Sequence, residues 1–322
     1  MKLISVIVPI YNAEKFINVC IEHLLMQSYH DFEIICVNDG STDNTKFVLE
    51  SLKEKDYRIK VFNQSNAGAS MARNRGIREA SGEYLTFIDA DDYVDQDFLH
   101  TLVNNINDRD VLISGYNKVT ISNHKLLYSV IPDDNMWARF KYVSTCSKLY
   151  KTSFLKEHNI FFKKLPIAED VYFSLNCFTI QEVKVGVLNY AGYNYCLNPT
   201  STTQNLQAIK ENNDNKLLEV LQDMYDSFDF SNYPYKLVSY FYLKTVVQYL
   251  LMQARIYEQK YLVDEYKKAF TFLRENNLLN SCFNKFEDFK INICVITFYL
   301  CYKLRVMPVL LFLLRKIKLK II

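Results

Sequence analysis

The fold class is decided by one stretch, Gly82-Glu-Tyr-Leu-Thr-Phe-Ile-Asp-Ala-Asp-Asp92. Residues 84–88 are apolar, β-branched and aromatic, and such a run predicts a short buried strand. Three carboxylates follow this strand directly, and like charges so close together raise one another's pKa. A divalent cation would relieve the repulsion, because hard cations bind carboxylate oxygens. A solvated acidic turn in front of a helix would have the same sequence, so this stretch alone does not distinguish such a turn from a cation site.

The sequence before this stretch alternates between predicted strands and predicted helices. Apolar runs predict strands at residues 3–9, 32–37 and 58–63, and apolar residues at helical spacing predict helices that end near residues 26, 53 and 80. We expect Ser41 or Thr42 to cap the second helix. The alternation indicates right-handed β-α-β units, and therefore an α/β fold with an open parallel sheet and helices on both faces.

Polar residues stand where the predicted strands end. They are Tyr11 and Asn12, then Asn38 and Asp39, then Asn66, and finally residues 89–92. In open parallel sheets, ligands bind beyond the carboxyl ends of the strands, at the point where the strand order changes direction. The convergence of these residues at one edge therefore indicates a binding site more strongly than any single motif does.

The motifs that are missing narrow the kind of ligand. No G-x-G-x-x-G follows the first strand, which disfavours a dinucleotide fold, and the absence of G-x-x-x-x-G-K-[ST] excludes a P-loop. A nucleotide would be held by other groups, with Tyr11 stacking on the base, Asp39 accepting from a base N–H, and residues 89–92 holding a metal on a diphosphate. A nucleotidyltransferase is a weaker hypothesis, because Tyr11-Asn-Ala-Glu14 is not the glycine-rich loop usual in that class.

Four segments of the chain match the motifs of one known family. They are Ser5-Val-Ile-Val-Pro-Ile-Tyr-Asn12, Val37-Asn-Asp-Gly-Ser-Thr-Asp43, Asn66-Ala-Gly-Ala-Ser-Met-Ala-Arg-Asn-Arg-Gly76 and the acidic stretch itself. In their order and spacing they resemble the inverting nucleotide-sugar transferases of glycosyltransferase family 2, which have the GT-A fold. The resemblance covers about the first 115 residues and continues more weakly to about residue 205.

The resemblance implies a nucleotide site. Pro9, Tyr11 and Asp39 would line the pocket for the base and the ribose. Arg73 and Asn74 belong to the family's A-R-N-x-G segment and would lie near the nucleotide. A helix that only packs on the sheet and caps it explains this last pair almost as well.

The resemblance also implies a metal and a catalytic base. Asp89 and Asp91 correspond to the outer residues of the family's D-x-D signature, and Asp91 would bind Mn2+ or Mg2+ directly. Asp170 would be the catalytic base, with Glu169 beside it as a supporting residue. Acidic residues are also favoured at helix N-termini by the helix dipole, which would explain Glu169 and Asp170 without catalysis.

The segment on either side of Asp170 is expected to complete the domain. Residues 117–132 are β-like and are expected to form an antiparallel edge of the sheet. Lys148 would face a phosphate or lie on the surface, and we expect the surface. Residues 190–203 resemble the family's aromatic strand and Ser/Thr loop. The family often has basic residues between these two parts, whereas this chain has Cys196-Leu-Asn198, so acceptor contacts by this loop stay open.

Charge is unevenly distributed along the chain. The net charge is +2, but residues from Phe289 onward include seven basic side chains and no acidic one. The remainder is therefore acidic overall, which disfavours nucleic acid as a partner, whereas the basic tail fits an anionic membrane surface. Apolar segments at residues 293–302 and 306–314 are shorter than the ~18 residues of a membrane span. We expect an in-plane amphipathic anchor, with a tail that packs on the body as the alternative.

These observations predict four regions. Residues 1–115 would bind the nucleotide-sugar, residues 116–207 the acceptor, residues 208–290 would be helical, and residues 291–322 would form the membrane-associating tail. The eight cysteines show no zinc spacing and are expected to be buried thiols in a reducing compartment. The N-terminus shows no signal peptide. The expected location is peripheral, on the cytoplasmic face of the inner membrane, or cytoplasmic if the tail packs on the body.

The function predicted from the family resemblance is sugar transfer with inversion. A hexosyl or N-acetylhexosaminyl group would move from a nucleotide-sugar, of the UDP type, to a glycan or lipid-linked acceptor in surface polysaccharide or lipopolysaccharide assembly. The competing hypothesis is a catalytically inactive scaffold that binds a nucleotide-sugar within a polysaccharide-assembly complex. The presence of Asp39, Asp91 and Asp170 together argues against the scaffold.

Overall fold

The computed structural model describes residues 2–165, 167–198 and 216–317. The chain forms two units, Met1–Ser201 and Thr202–Ile322. The described residues of the first unit contain the sheet, and those of the second are helical, as expected. The finer division of each unit at residues 115 and 290 stays a prediction.

The described part of the first unit contains one nine-stranded sheet. Its strands are β1 (Ile4–Ile10), β2 (Phe32–Asp39), β3 (Ile59–Gln64), β4 (Tyr84–Phe87), β5 (Tyr93–Val94), β6 (Val111–Thr120), β7 (Leu126–Val130), β8 (Lys148–Lys151) and β9 (Val185–Leu197). The spatial order is β3-β2-β1-β4-β8-β6-β9-β5, and β7 pairs with β6 beside this path. The strand order reverses beside β1, which is where a ligand site is expected in such a sheet.

The first four strands are parallel, as their sequence predicts. β1 pairs with β2 on one side and β4 on the other, and β2 pairs with β3. All of β2 and all of β1 except Pro9 are buried, because helices cover both faces of a parallel sheet and favour continuous apolar runs. The register sets Ile7 beside Phe87 and Ile10 beside Asn38, so the residues after these strands reach one edge.

Beyond β4 the sheet becomes mixed. β8 lies between β4 and β6 and is antiparallel to both, whereas β9 is parallel to β6. β7 is antiparallel to β6, with Tyr116 opposite Val130. The expected antiparallel edge at residues 117–132 is therefore confirmed.

Seven helices are described in the first unit. They are α1 (Ile17–Leu25), α2 (Thr45–Lys55), α3 (Ala69–Glu79), α4 (Phe98–Asn105), α5 (Ala138–Lys141), α6 (Thr152–Glu157) and α7 (Glu169–Phe178). The predicted cap of α2 is wrong, because Asn44 is the residue before its first turn. The Ser41 Oγ instead accepts from the Asn12 backbone N–H at 3.0 Å, and the Thr42 N–H donates to Asn12 Oδ1 at 2.8 Å. These bonds tie the ends of β1 and β2 together, so the helix begins after them.

The described part of the second unit consists of helices. They are α8 (Lys216–Ser227), α9 (Tyr235–Gln253), α10 (Gln259–Glu275), α11 (Phe289–Lys303) and α12 (Met307–Ile317). α9 is buried almost all round, as its apolar sequence predicts. α11 packs on α9 and α12 packs on α10, so the tail is part of this unit. Among the described residues, no helix combines the length and the apolar character needed to cross a bilayer.

Candidate active site

Arg73 joins two carboxylates that come from distant parts of the chain. It lies on α3, is 6% exposed, and donates from Nη2 to Asp89 Oδ1 at 2.9 Å. Its Nη1 lies 3.5 Å from Asp170 Oδ1, and the guanidinium is 5.3 Å from the centre of the Phe162 ring. Burial alone would lower the pKa of Arg73, but Asp89 and Asp170 raise it well above its usual value. The residue is therefore a fixed positive charge between the end of β4 and the start of α7.

Asp170 is in the first turn of α7, directly after Ala168 and Glu169. Ala168 has a left-handed backbone (φ 59°) that begins the helix. Asp170 Oδ1 accepts from the Thr145 hydroxyl at 3.3 Å and faces Arg73, whereas Oδ2 has no hydrogen bond among the described residues. The side chain is 30% exposed. One oxygen is thus held and the other is open to a ligand, the arrangement that a general base needs.

The pKa values of this pair of acids reflect burial. Burial raises the pKa of Asp170, and Arg73 opposes this effect. Burial also raises the pKa of Glu169, with a further contribution from the neighbouring charge of Asp170. A carboxylate whose pKa is raised toward neutral pH is a better proton acceptor than a fully solvated one.

The three carboxylates after β4 have three different environments. Asp89 pairs with Arg73. Asp92 is buried and accepts from the Tyr193 hydroxyl at 2.5 Å and from the Cys196 N–H at 2.8 Å. Asp91 accepts from the Asn198 amide at 3.2 Å through Oδ2 and is half-buried. Of the three carboxylates, Asp91 thus has the weakest contacts and is the most available to a ligand.

Asp91 fits the role of a metal ligand. Burial raises its pKa, and the charge of Asp89 raises it further. A cation beside Asp91 would relieve both effects, because it stabilises the ionised form. Within the described ranges no group of three His, Cys, Asp or Glu side chains could hold a metal alone. A cation held at Asp91 by few protein ligands would take others from a bound diphosphate, as is usual for Mg2+.

The residues predicted for the base lie at the ends of β1 and β2. Tyr11 is 52% exposed, so its ring is free to stack on a ligand. Pro9 is half-buried within β1. Asn12 has a left-handed backbone (φ 49°) and is exposed, and its bonds to Ser41 and Thr42 fix this end of the sheet.

Asp39 is buried at the end of β2 and orders the entry to α3. Its Oδ1 accepts from the Gln64 amide and the Ala67 N–H, and Oδ2 accepts from the Gly68 N–H at 2.8 Å. The next residue, Gly40, has φ 72°, and a Cβ there would lie 2.7 Å from the Asn66 nitrogen. Only glycine fits this approach of the two loops. The contact of Asp39 with a base stays a prediction.

Asn74 contacts the backbone of Phe162 with both ends of its amide. Its Nδ2 donates to the Phe162 carbonyl at 2.8 Å, and its Oδ1 accepts from the Phe162 N–H at 2.7 Å. Since the Phe162 ring lies beside Arg73, Asn74 helps to position the guanidinium. A direct contact of Asn74 with the nucleotide stays a prediction.

The expectation for Lys148 is wrong. Its side chain is 2% exposed, and its Nζ donates to the Ser144 carbonyl. Lys148 begins β8, which lies inside the sheet between β4 and β6, and it pairs with Ile113 of β6. Sequence reasoning also missed Thr145, Tyr193 and Asn198 as partners of the acidic residues, because each contact spans 25 or more residues.

Curated proteins of similar sequence are named as glycosyltransferases. GlyA of Streptococcus pneumoniae is 36% identical over 155 residues, which cover 48% of this chain and 22% of GlyA. EpsJ of Bacillus subtilis, an uncharacterised glycosyltransferase, is 34% identical over 218 residues, which cover 63% of each chain. TarS of Staphylococcus aureus, a poly(ribitol-phosphate) β-N-acetylglucosaminyltransferase, is 28% identical over 218 residues, covering 61% of this chain and 35% of TarS. The chain thus spans less than two thirds of the length of each relative.

Solved structures show the same fold. Residues 1–349 of S. aureus TarS, in complex with UDP-GlcNAc, match with a TM-score of 0.57 and 22% identity, covering 87% of this chain and 90% of that one. The mannosyltransferase PcManGT from Pyrobaculum calidifontis, in complex with GDP-Man and Mn2+, matches with a TM-score of 0.56 and 15% identity over 98% and 86% of the two chains. These likenesses confirm the predicted GT-A fold.

The family itself follows from the sequence. The family model described as "Glycosyl transferase family 2" matches residues 5–169, more than half of the chain. The match runs from β1 to the first residue of α7 and so includes the acidic stretch and Arg73. This chain therefore belongs to glycosyl transferase family 2.

Proposed function

We propose that this protein is an inverting glycosyltransferase. It moves a hexosyl or N-acetylhexosaminyl group from a nucleotide-sugar, of the UDP type, to a hydroxyl of a glycan or lipid-linked acceptor in surface polysaccharide assembly. One observation carries the proposal: Asp170 has an open Oδ2, and Arg73 connects it to Asp89, next to Asp91. This arrangement supports a proton acceptor and a diphosphate site at one edge of the sheet.

The chemistry follows from this arrangement. Asp170 Oδ2 takes the proton of the acceptor hydroxyl, and that oxygen forms a bond to the anomeric carbon of the donor. The bond between this carbon and the diphosphate oxygen breaks on the opposite face, and its electron pair leaves with the nucleoside diphosphate. Attack opposite to the leaving group inverts the configuration. When bound at Asp91, with Asp89 beside it, a Mn2+ or Mg2+ ion supplies positive charge to the diphosphate.

The strand ends and the relatives support a nucleotide-sugar as the donor. Tyr11 is exposed for stacking on a base, and Pro9, Asn12 and Asp39 surround the same end of the sheet. The TarS structure contains UDP-GlcNAc and the PcManGT structure contains GDP-Man, which supports a nucleotide-sugar donor and makes the base a question for experiment.

The test is release of nucleotide from a donor panel. The purified protein is incubated with UDP-, GDP- and CMP-sugars, with Mn2+ or with EDTA, and free nucleotide is followed. We expect metal-dependent release from a UDP-sugar. Binding without release, as measured by calorimetry, would call for an acceptor in the assay. If the protein neither binds any donor nor releases nucleotide from it, the proposal is overturned. Binding of a donor without transfer to any acceptor would favour the inactive scaffold.

We also propose that the second unit binds an anionic membrane surface, which would place the enzyme peripherally on the cytoplasmic face of the inner membrane. Large apolar residues on the outer sides of α11 and α12 are exposed; this outer apolar stripe consists of Phe289, Ile293, Leu300, Leu304, Val309, Phe312 and Leu313. The opposite side of α11, with Val295 and Phe298, is buried. Basic residues and no acidic ones accompany the stripe, which suits anionic lipid headgroups.

A further inference from the structure

The residues before β8 form a bend that is polar and almost fully buried. This 144–148 bend has the sequence Ser144-Thr-Cys-Ser-Lys148, and all of it except Ser144 is buried. Burying hydroxyl and ammonium groups costs free energy unless each finds a partner. Buried polar groups at this density indicate that the bend has a task besides packing.

Several hydrogen bonds fix the backbone of the bend. Ser147 has a left-handed conformation (φ 61°), which is strained for a residue other than glycine. Its hydroxyl donates to the Gly115 carbonyl, and its own carbonyl accepts from the Ser114 hydroxyl at 2.9 Å. The Tyr150 hydroxyl donates to the Thr145 carbonyl at 3.2 Å. β6 therefore holds Ser147, and Tyr150 of β8 holds the Thr145 backbone.

Lys148 closes the bend from inside. Its Nζ donates to the Ser144 carbonyl, so the side chain folds back over the four residues before it. No salt bridge joins Lys148 to a carboxylate within the described ranges of the chain. A buried ammonium without a salt bridge is costly, and a buried ionisable group beside a candidate site is itself a candidate for a functional role.

The fixed 144–148 bend brings Thr145 into contact with Asp170. The Thr145 hydroxyl donates to Asp170 Oδ1 at 3.3 Å, on the oxygen that also faces Arg73. The hydrogen bond from Thr145 and the guanidinium of Arg73, 3.5 Å away, both act on Oδ1 and leave Oδ2 open. We propose that Thr145 and Lys148 are positioning residues for Asp170: Thr145 orients the carboxylate, and Lys148 fixes the bend and places a positive charge behind it. This inference rests on the proposed function and deepens it.

The charges around Asp170 support this assignment. They come from Arg73 on α3, Asp89 after β4, Lys148 on β8 and Glu169 on α7. Burial raises the pKa of Asp170, and both Arg73 and Lys148 lower it. Burial also lowers the pKa of Lys148 to about 8, while Asp170 acts in the opposite direction. Removing the charge of Lys148 should therefore raise the pKa of Asp170, and the base would be lost at a higher pH than in the unchanged protein.

The experiment compares four variants of the full chain. Thr145→Val removes the hydroxyl and Thr145→Ser keeps it, while Lys148→Met removes the buried charge and Lys151→Met removes an exposed one from the same strand. We expect Thr145→Val to lower kcat by roughly 10²-fold, the scale of a misplaced catalytic group, with donor affinity nearly unchanged. Thr145→Ser should recover most of this loss. Lys148→Met should shift the acidic limb of the kcat/KM profile to higher pH, and Lys151→Met should not.

A second readout does not depend on turnover. The carboxyl carbon of Asp170 is followed by 13C NMR as the pH is changed, with Asp170→Asn to assign the signal. We expect a higher pKa in Lys148→Met than in the unchanged protein. Equal titration in both proteins, or full kcat in Thr145→Val, would overturn the inference even if Asp170→Asn abolishes transfer. If the unchanged protein transfers no sugar, the proposed function fails and this inference falls with it.

Discussion

The Tyr193 hydroxyl connects Asp89 and Asp92, the first and last carboxylate residues after β4, since it donates to Asp92 Oδ2 at 2.5 Å and accepts from the Asp89 backbone N–H at 3.2 Å. Tyr193 lies on β9, more than 100 residues further along the chain. A strand that is parallel to β6 thus fixes the shape of the loop after β4. This bond also explains why only two of the three carboxylates face the site.

The first prediction concerns this tyrosine. Tyr193→Phe removes the donor to Asp92 Oδ2, while Oδ1 keeps its bond to the Cys196 N–H, and it leaves the Asp89 N–H without its acceptor. We expect the free energy of unfolding to fall by about 2 kcal/mol, the usual cost of a lost hydrogen bond to a charged group. Urea denaturation measures the change. Tyr128→Phe, which removes an exposed hydroxyl from β7, is the control and should be neutral; equal stability of both variants would contradict the role of Tyr193.

The second prediction concerns the base. Asp170→Asn keeps the shape of the side chain but removes its ability to take a proton. We expect transfer to be abolished, and calorimetry should show donor binding close to that of the unchanged protein. Asp134→Asn, on an exposed loop, serves as the matched control. Turnover of Asp170→Asn at the unchanged rate would rule out Asp170 as the base.

The third prediction separates two roles of Arg73. Lys in its place keeps a positive charge, but one ammonium cannot serve Asp89 and Asp170 with the geometry of a planar guanidinium. We expect Arg73→Lys to lower kcat by roughly 10²-fold with little change in donor Kd. Arg75→Lys is the control, since Arg75 pairs with Glu79 on the outer side of the same helix. A large rise in Kd with unchanged kcat would instead indicate that Arg73 contacts the nucleotide.

The fourth prediction concerns pH and Glu33, which joins three strands. Glu33 accepts from Ser5 and Ser81 through Oε1 and pairs with Lys60 at 2.5 Å through Oε2. Burial would raise the pKa of Glu33, but Lys60, Ser5 and Ser81 outweigh it and lower the pKa to about 2. The folded pKa is below the unfolded one, so this stabilisation is complete above the unfolded pKa of about 4.3 and is lost as the pH falls to about 2.

The variant Glu33→Gln tests the predicted direction of the pH dependence of stability. We expect the variant to lose about 2 kcal/mol at pH 7 and to show a flatter dependence of stability between pH 4.5 and 2. Denaturant midpoints at several pH values give the comparison. Glu54→Gln, which removes an exposed carboxylate on α2, should keep the steep dependence. A Glu33→Gln curve parallel to that of the unchanged protein would show that another group titrates.

The parallel half of the sheet was predictable because its strands are buried on both faces. Residues such as Ile7 and Ile35 then have only apolar neighbours in sequence, and the pattern shows the strand directly. β8 differs, because Lys148-Leu-Tyr-Lys151 is short and begins and ends with lysine. Its pairing with β4 and β6 decides its conformation and its burial, and no local pattern contains that information.

Local sequence patterns were also insufficient to predict the contacts within the candidate site. Motifs made Asp89, Asp91 and Asp170 candidates from the sequence, whereas Thr145 was no candidate, since it is one of several small polar residues in a row. Its importance comes from a single contact with Asp170 across 25 residues. The different environments of Asp91 and Asp92 were equally hidden, because Tyr193 and Asn198, which create them, lie on and after β9.

The last prediction concerns the outer apolar stripe. Phe289 and Leu304 are 74% and 70% exposed, and inserting both into a lipid interface would contribute about 3 kcal/mol. The double variant Phe289→Ser, Leu304→Ser should therefore bind vesicles of phosphatidylglycerol roughly 100-fold more weakly. Tyr57→Ser, which removes an exposed aromatic residue from the first unit, should bind like the unchanged protein.

The basic residues of the tail give this prediction a second, independent measurement. Anionic headgroups attract Lys303, Arg305 and Arg315, so binding should weaken as salt is added and should be weaker on phosphatidylcholine than on phosphatidylglycerol. Sedimentation with vesicles measures both effects. If the stripe instead joins two copies of the chain, the unchanged protein will associate at rising concentration without lipid, and the double variant will not. That outcome, or vesicle binding unaffected by the double substitution, would contradict a membrane role.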